Sequence, residues 1–156
     1  MDKDISEPID EVVTYSSLAG RIFASVVDIF FIFILFFLLS LFFDSFIPRS
    51  SMNKNSREFF DLISGLMFFL LPVFYFAIME SSKMQATAGK YITGIKVVDE
   101  STFQKISFVR AFFRAIIKIV SIYFFGIGLL FLIILLSNGR GQSVHDGITK
   151  TFVIDR

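Results

Sequence analysis

Long apolar runs alternate with polar stretches along this chain. The runs at 22–43 and 59–79 consist largely of Phe, Leu and Ile. About 20 helical residues cross the hydrocarbon core of a bilayer, so each run predicts a membrane-spanning helix. The third run, 106–136, is compound. Arg110, Arg114 and Lys118 recur every four residues and so share one side of a helix, while Phe108, Val109, Phe112, Phe113, Ile116 and Ile117 cover the rest. This pattern predicts an amphipathic basic helix at 106–118, suited to a membrane interface. The charge-free stretch 119–136 is long enough to cross once. An alternative is a hairpin of two short helices over 106–136, turning near Gly126-Ile127-Gly128. The first arrangement puts the C-terminal tail opposite the central loop, and the second puts both on one side.

The polar stretches add smaller elements. Residues 1–17 form an acidic tail with Asp2, Asp4, Glu7, Asp10 and Glu11 against Lys3. A cleaved signal starts basic and has a shorter apolar core, so 22–43 is expected to be a permanent anchor. Within the polar segment 80–105, residues 91–98 are rich in β-branched side chains and predict a short strand; 151–154 reads the same way. The two can pair if both lie on one side of the membrane. The expected fold class is an all-α integral membrane protein. It would be a helical bundle of about three membrane segments with a small two-stranded cytoplasmic β element, the domain occupying 18–154.

Composition agrees with this class. The chain has 156 residues, 54% of them hydrophobic, with 23 Phe and no Trp. A soluble domain of this size could not hide so much apolar side chain. A net charge of +1 gives no basis for nucleic-acid binding, and the absence of Cys excludes disulfides and thiolate metal sites. The distribution of basic residues says more. Lys83, Lys90, Lys96, Lys105, Arg110, Arg114 and Lys118 crowd into 83–118, whereas the loop between the first two spans carries Arg49, Lys54 and Arg57. The positive-inside rule then puts the N-terminus and 83–118 in the cytoplasm of a multi-pass cell-membrane protein. Arg140, Lys150 and Arg156 lean the tail the same way.

Asp28 is the one charge inside 22–43. A central Asp costs ~2.5–3.5 kcal/mol on insertion, and each Leu, Ile, Phe or Val returns ~0.3–0.6, so the helix inserts regardless. Arg21 lies two turns away, ~10 Å along the axis. Two readings are open. Asp28 with Arg21 is a proton- or cation-responsive site, as intramembrane ionisable residues often are; or Asp28 pairs structurally with Arg110 or Arg114. The stripe Arg110, Arg114, Lys118 either meets anionic lipid headgroups or turns inward onto Asp28. Thr87-Ala88-Gly89-Lys90 has part of a phosphate loop, but lacks the first Gly and the Ser/Thr after Lys90, and leads towards a strand. It reads as a glycine-made turn. His145-Asp146-Gly147 holds the one His; it lacks a serine elbow and a ligand set, and reads as a local turn with Asp146 on backbone amides. No catalytic residue, metal or cofactor is expected, and the chain is not expected to be an enzyme.

Taken in order, these pieces resemble the RDD family, small membrane domains named for one Arg and two Asp. Arg21 and Asp28 match the Arg and Asp of the first membrane helix. Thr87, Gly89 and Lys90, followed by Gly94, resemble the central segment, and Arg110 and Arg114 its basic helix. His145, Asp146 and Gly147, then Thr151, resemble the terminal motif with the second Asp. In the family a Gln often directly precedes the Thr; here Gln85 stands one position earlier, with Ala86 between. The resemblance implies a transport-related role. In such a role Asp28 would couple proton movement to a cation or small solute, and three spans would call for a homo-oligomer. The competing expectation is a non-transporting scaffold or assembly partner.

Overall fold

A computed structural model describes residues 14–47, 49–135 and 142–156; residues 1–13 of the expected 1–17 tail lie outside them. Two long helices come first, α1 (Leu18–Phe46) and α2 (Lys54–Glu80), joined through a single 3-10 turn at Arg49–Ser51. Both overrun the apolar stretches that predicted them because polar caps set their starts. Ser17 accepts from the amide of Gly20, and Asn53 from that of Ser56. α1 and α2 are each long and apolar enough to cross a membrane. They run antiparallel, with ring contacts between Phe36 and Phe68 at 4.8 Å and between Phe43 and Phe60 at 6.3 Å.

The central segment departs from the expectation. Tyr91 and Ile92 belong to a short helix, α3 (Ala88–Ile92), capped by Thr87, and strand β1 begins only at Ile95 (Ile95–Asp99). Gly94 makes the turn between them at φ +71°, a conformation Cβ-bearing residues resist. β1 pairs antiparallel with β2 (Thr151–Asp155), Val97 opposite Val153. Thr14–Ser16, expected to belong to the tail, extends the sheet: Asp155 donates to Thr14 and Ser16 to Val153.

α4 (Phe108–Leu135) is one continuous helix through Gly126 and Gly128, so the backbone makes no hairpin turn there. A short helix, α5 (Val144–Thr149), precedes β2. α4 packs against α2, where Ala77, Ala111 and Ala115 are almost fully buried and let the helices approach closely. One core joins Ala24 and Ala77 to Ile95, Val97, Ile106, Ala111 and Val153; a second joins Val73 and Phe76 to Ala115 and Ile119.

The burial pattern is inverted relative to a water-soluble bundle. In α1 the buried residues are Ala24 and Asp28, while Phe23, Phe30, Phe33 and Phe37 face outward. In α4, Arg114 is buried while Val109 and Phe113 are exposed. Apolar side chains facing outward around a polar interior suit hydrocarbon surroundings.

Candidate functional site: a buried polar network at one end of the helices

The start of α1, the end of α2 and the first half of α4 converge with α3 and α5 on a set of buried charges. Asp28 is 1% exposed, and its three donors are all neutral. Thr87 Oγ1 donates to Oδ2 at 2.6 Å; Tyr75 Oη and the backbone amide of Gly89 donate to Oδ1 at 2.9 and 2.8 Å. Tyr75 Oη in turn accepts from the amide of Ala88 at 3.1 Å. The carboxylate therefore binds the first turn of α3, where free amides and the helix dipole favour negative charge. Of its expected partners, neither Arg21, Arg110 nor Arg114 reaches Asp28; each is held by another group.

This arrangement depends on Gly89. A Cβ at that position would collide with the carbonyl oxygen of Ala24 and stand 3.0 Å from Cγ of Asp28. The 87–90 segment is thus more than a turn. Thr87 caps α3 and bonds Asp28, Gly89 allows α3 to touch α1, and Lys90 reaches Glu80, Nζ to Oε1, at 2.6 Å.

The second cluster centres on Asp146. Its Oδ1 accepts from Arg114 Nε at 3.0 Å and from Arg114 Nη2. Its Oδ2 accepts from Arg21 Nη1 at 3.3 Å, and from the amide and hydroxyl of Ser143 at 3.2 and 2.6 Å. Asp146 thus caps α5 and bridges two guanidinium groups. Arg21 spreads its remaining donors to Ser16 Oγ at 2.6 Å and the carbonyl of Val153 at 3.1 Å. Arg114 also donates to Glu80 Oε2, so Glu80 links Lys90 to Arg114. Among the described residues, every buried side-chain nitrogen and oxygen has a hydrogen-bond partner.

Burial alone would raise the pKa of Asp146, but the guanidinium of Arg114 and the hydrogen bond from Ser143 outweigh it and hold the carboxyl below its usual range. His145 goes the other way. Burial pushes it down to about 3 despite the pull of Asp146, so it is neutral near pH 7, its Nε2 3.0 Å from Ser143 Oγ.

The basic stripe of α4 divides. Arg110 pairs with Asp99, Arg114 turns inward, and Lys118 lies over the Phe76 ring at 3.7 Å. Arg114 is therefore not presented to lipid, because two carboxylates hold it inside. Other motif residues serve the backbone. The carbonyl of Gly94 accepts from Arg156, Gly147 donates to Ser143 within α5, and Thr151 Oγ1 is buried 3.2 Å from Thr149 Oγ1. Among the described residues, no group of three His, Asp or Glu side chains is placed to hold a metal ion.

Three residues of the network carry little mark of their role in the sequence. Glu80 gave a signal, a carboxylate ending an apolar run, but its partners lie far along the chain. Tyr75 gave a fainter one, a hydroxyl among the phenylalanines of α2. Ser16 gave none. Gln85 receives a structural role despite its shifted position: its backbone carbonyl accepts from Val97 N at 2.7 Å, and its side-chain Nε2 donates to the Val97 carbonyl at 3.2 Å, closing the free edge of β1.

No solved structure matches this chain. Among curated proteins, it is similar to the uncharacterized protein YxaI of Bacillus subtilis (strain 168), 35% identical over 89 residues. That alignment takes in 57% of this chain and 56% of the relative, so the chain matches only about half of YxaI. The family model for the RDD family matches residues 15–150, which include Arg21, Asp28 and Asp146. With two apolar helices and a family match over most of its length, the chain belongs to the RDD family of membrane domains.

Proposed function

We propose that the chain is a non-enzymatic membrane scaffold or assembly partner, in which α1 and α2 anchor a rigid polar headpiece at one membrane face. The observation carrying this reading is that Arg21, Asp28 and Asp146 each hold backbone elements together. Arg21 grips the Thr14–Ser16 strand and β2, Asp28 grips α3, and Asp146 caps α5 while binding α4. Cavities of about 210 and 390 Å³ are lined by residues from Phe36 to Phe68 and from Ser50 to Asp61, not by Asp28. A satisfied network of this kind fixes one packing arrangement.

The basic residues support a cytoplasmic headpiece, with the Arg49–Ser51 turn outside. Arg114 and Asp146 are bonded at the same end of the helices, so the chain between them starts and finishes on one face. In this reading α4, which runs ~30 Å past Arg114, is not a one-way third span. Two anchoring helices with outward phenylalanines leave room for a second copy or another membrane protein beside them.

The second reading, proton- or cation-coupled transport, is favoured by one observation: Asp28 accepts from neutral donors alone, so its protonation would break no ion pair. The Asp28→Asn variant separates the two. Cation flux in liposomes that Asp28→Asn abolishes supports transport; loss of stability or assembly without flux supports the scaffold.

A further inference from the structure

We infer that α3 is seated in the bilayer, with Tyr91 and Ile92 set into the boundary between lipid headgroups and acyl chains on the headpiece side. Its depth follows from what it touches. Gly89 meets α1 at Ala24 and Asp28, and the amide of Ala88 donates to Tyr75 of α2. Ile95, just past the Gly94 turn, packs in one core with Ala24 and Ala77. Ala24, Asp28, Tyr75 and Ala77 all belong to the apolar stretches 22–43 and 59–79. Ala24 and Asp28 follow Ile22 by ~3 and ~9 Å along the helix axis. An element lying in the interface is buried to a similar depth, ~5–10 Å. The inference rests on the membrane placement proposed above, but not on the choice between scaffold and transport.

The side chains and backbone of α3 suit this depth. Gly89 and Lys90 are buried, Lys90 on Glu80, whereas Tyr91 and Ile92 are 49% and 61% exposed. The first amides of a helix lack partners within it and are ordinarily left to water. Here Ala88 donates to Tyr75 Oη, Gly89 to Asp28, Lys90 to Thr87 Oγ1 at 3.3 Å, and Tyr91 to the Thr87 carbonyl. At the other end Thr93 and Gly94 donate to the carbonyls of Gly89 and Tyr91, and the Gly94 carbonyl accepts from Arg156. A segment satisfied in this way can lie against lipid, where backbone with unmet donors cannot. The Tyr91 ring carries the guanidinium of Arg156 on its face, 4.4 Å from the ring centre, and Arg156 also donates to the Met84 carbonyl at 2.9 Å. Tyrosine rings sit at headgroup level, and an arginine beside one reaches out to the headgroups along its apolar stem.

The chain has no Trp, so a single introduced tryptophan reports its own surroundings. The full chain carrying Ile92→Trp is reconstituted into liposomes of phosphatidylcholine brominated either near the headgroup or near the end of the acyl chains. Its emission is expected at shorter wavelength than in water, and to lose more intensity to the shallow bromines than to the deep ones. Aqueous iodide is expected to quench Gln104→Trp, in the loop before α4, more than Ile92→Trp. Phe33→Trp, in the middle of α1, is expected to lose more intensity to the deep bromines. Phe33→Trp quenched by neither lipid overturns the membrane placement, and this inference with it. Phe33→Trp quenched as expected, with Ile92→Trp untouched by either lipid and open to iodide, overturns this inference alone. Tyr91 and Ile92 would then be a water-facing surface, open to a protein partner. If Ile92→Trp does not fold, Tyr91→Trp is read in the same way, with the same outcomes for and against.

Discussion

The amide of Gly89 lies 2.8 Å from Oδ1 of Asp28, an approach open only to a residue without a Cβ, because Ala24 occupies the space where one would go. Gly89→Ala must therefore push α3 away from α1 and stretch the Asp28 bonds. A loss of about 1–3 kcal/mol is expected, the usual cost of overpacking. Gly65→Ala is the control, since nothing lies within 4 Å of its added Cβ. There the helix gains up to ~1 kcal/mol from propensity. Thermal unfolding in detergent compares the two. Equal Tm values would show that the close contact of α1 with α3 is not what Gly89 supplies.

Arg21 serves Ser16, Asp146 and Val153 with three different nitrogens. Lysine keeps the charge but not the planar fork. Arg21→Lys is expected to retain the membrane helices yet release the Thr14–Ser16 strand, with faster amide exchange at Ser16 and Asp155. Unchanged exchange there would mean that the strand is held without Arg21.

Acid should act through His145 before it acts through the carboxylates. The folded-state pKa, about 3, lies below the ordinary value of 6.5, so the unfolded chain takes up the proton first. The stabilisation is complete above about pH 6.5 and is lost as pH falls from there towards 3. Asp146, also lowered, adds acid sensitivity only below its ordinary value of 3.8. Wild-type Tm is expected to drop between pH 7 and 5, and His145→Asn to flatten that interval. A wild-type Tm that is level from pH 7 to 5 would contradict a neutral buried His145.

The chain has no native Cys, so single-cysteine variants report topology directly. Cysteines at Ser17, Gln104 and Asp155 are expected to label from the cytoplasmic side, and one at Ser51 from the outside. Outside labelling of Asp155 alone would break the link between Arg114 and Asp146 on which the proposed topology rests.

How much of this could be read in advance varied with the range of the interaction. The helices α1 and α2 were visible in apolar run length, and Arg21, Asp28 and Asp146 in the family pattern. The pairing of Arg21 with Asp146 was not visible, because helical spacing puts Arg21 near Asp28 and says nothing of a residue far along the chain. Strand β1 was placed too early, since Tyr91 and Ile92 have strand propensity while the Thr87 cap and the contact with α1 make them helical. The stripe of α4 showed which residues share a side, but its direction depended on Glu80 and Asp146, both contributed by other elements.

The central claim is that Asp28 is a structural clamp on α3. Proton-driven cation flux, measured in liposomes for wild type and for Asp28→Asn over a panel of monovalent and divalent cations, tests it most directly. The account predicts no flux above protein-free liposomes for either protein, with Asp28→Asn unfolding at lower temperature because asparagine cannot match all three donors. Wild-type flux that disappears in an Asp28→Asn protein of unchanged Tm would contradict it.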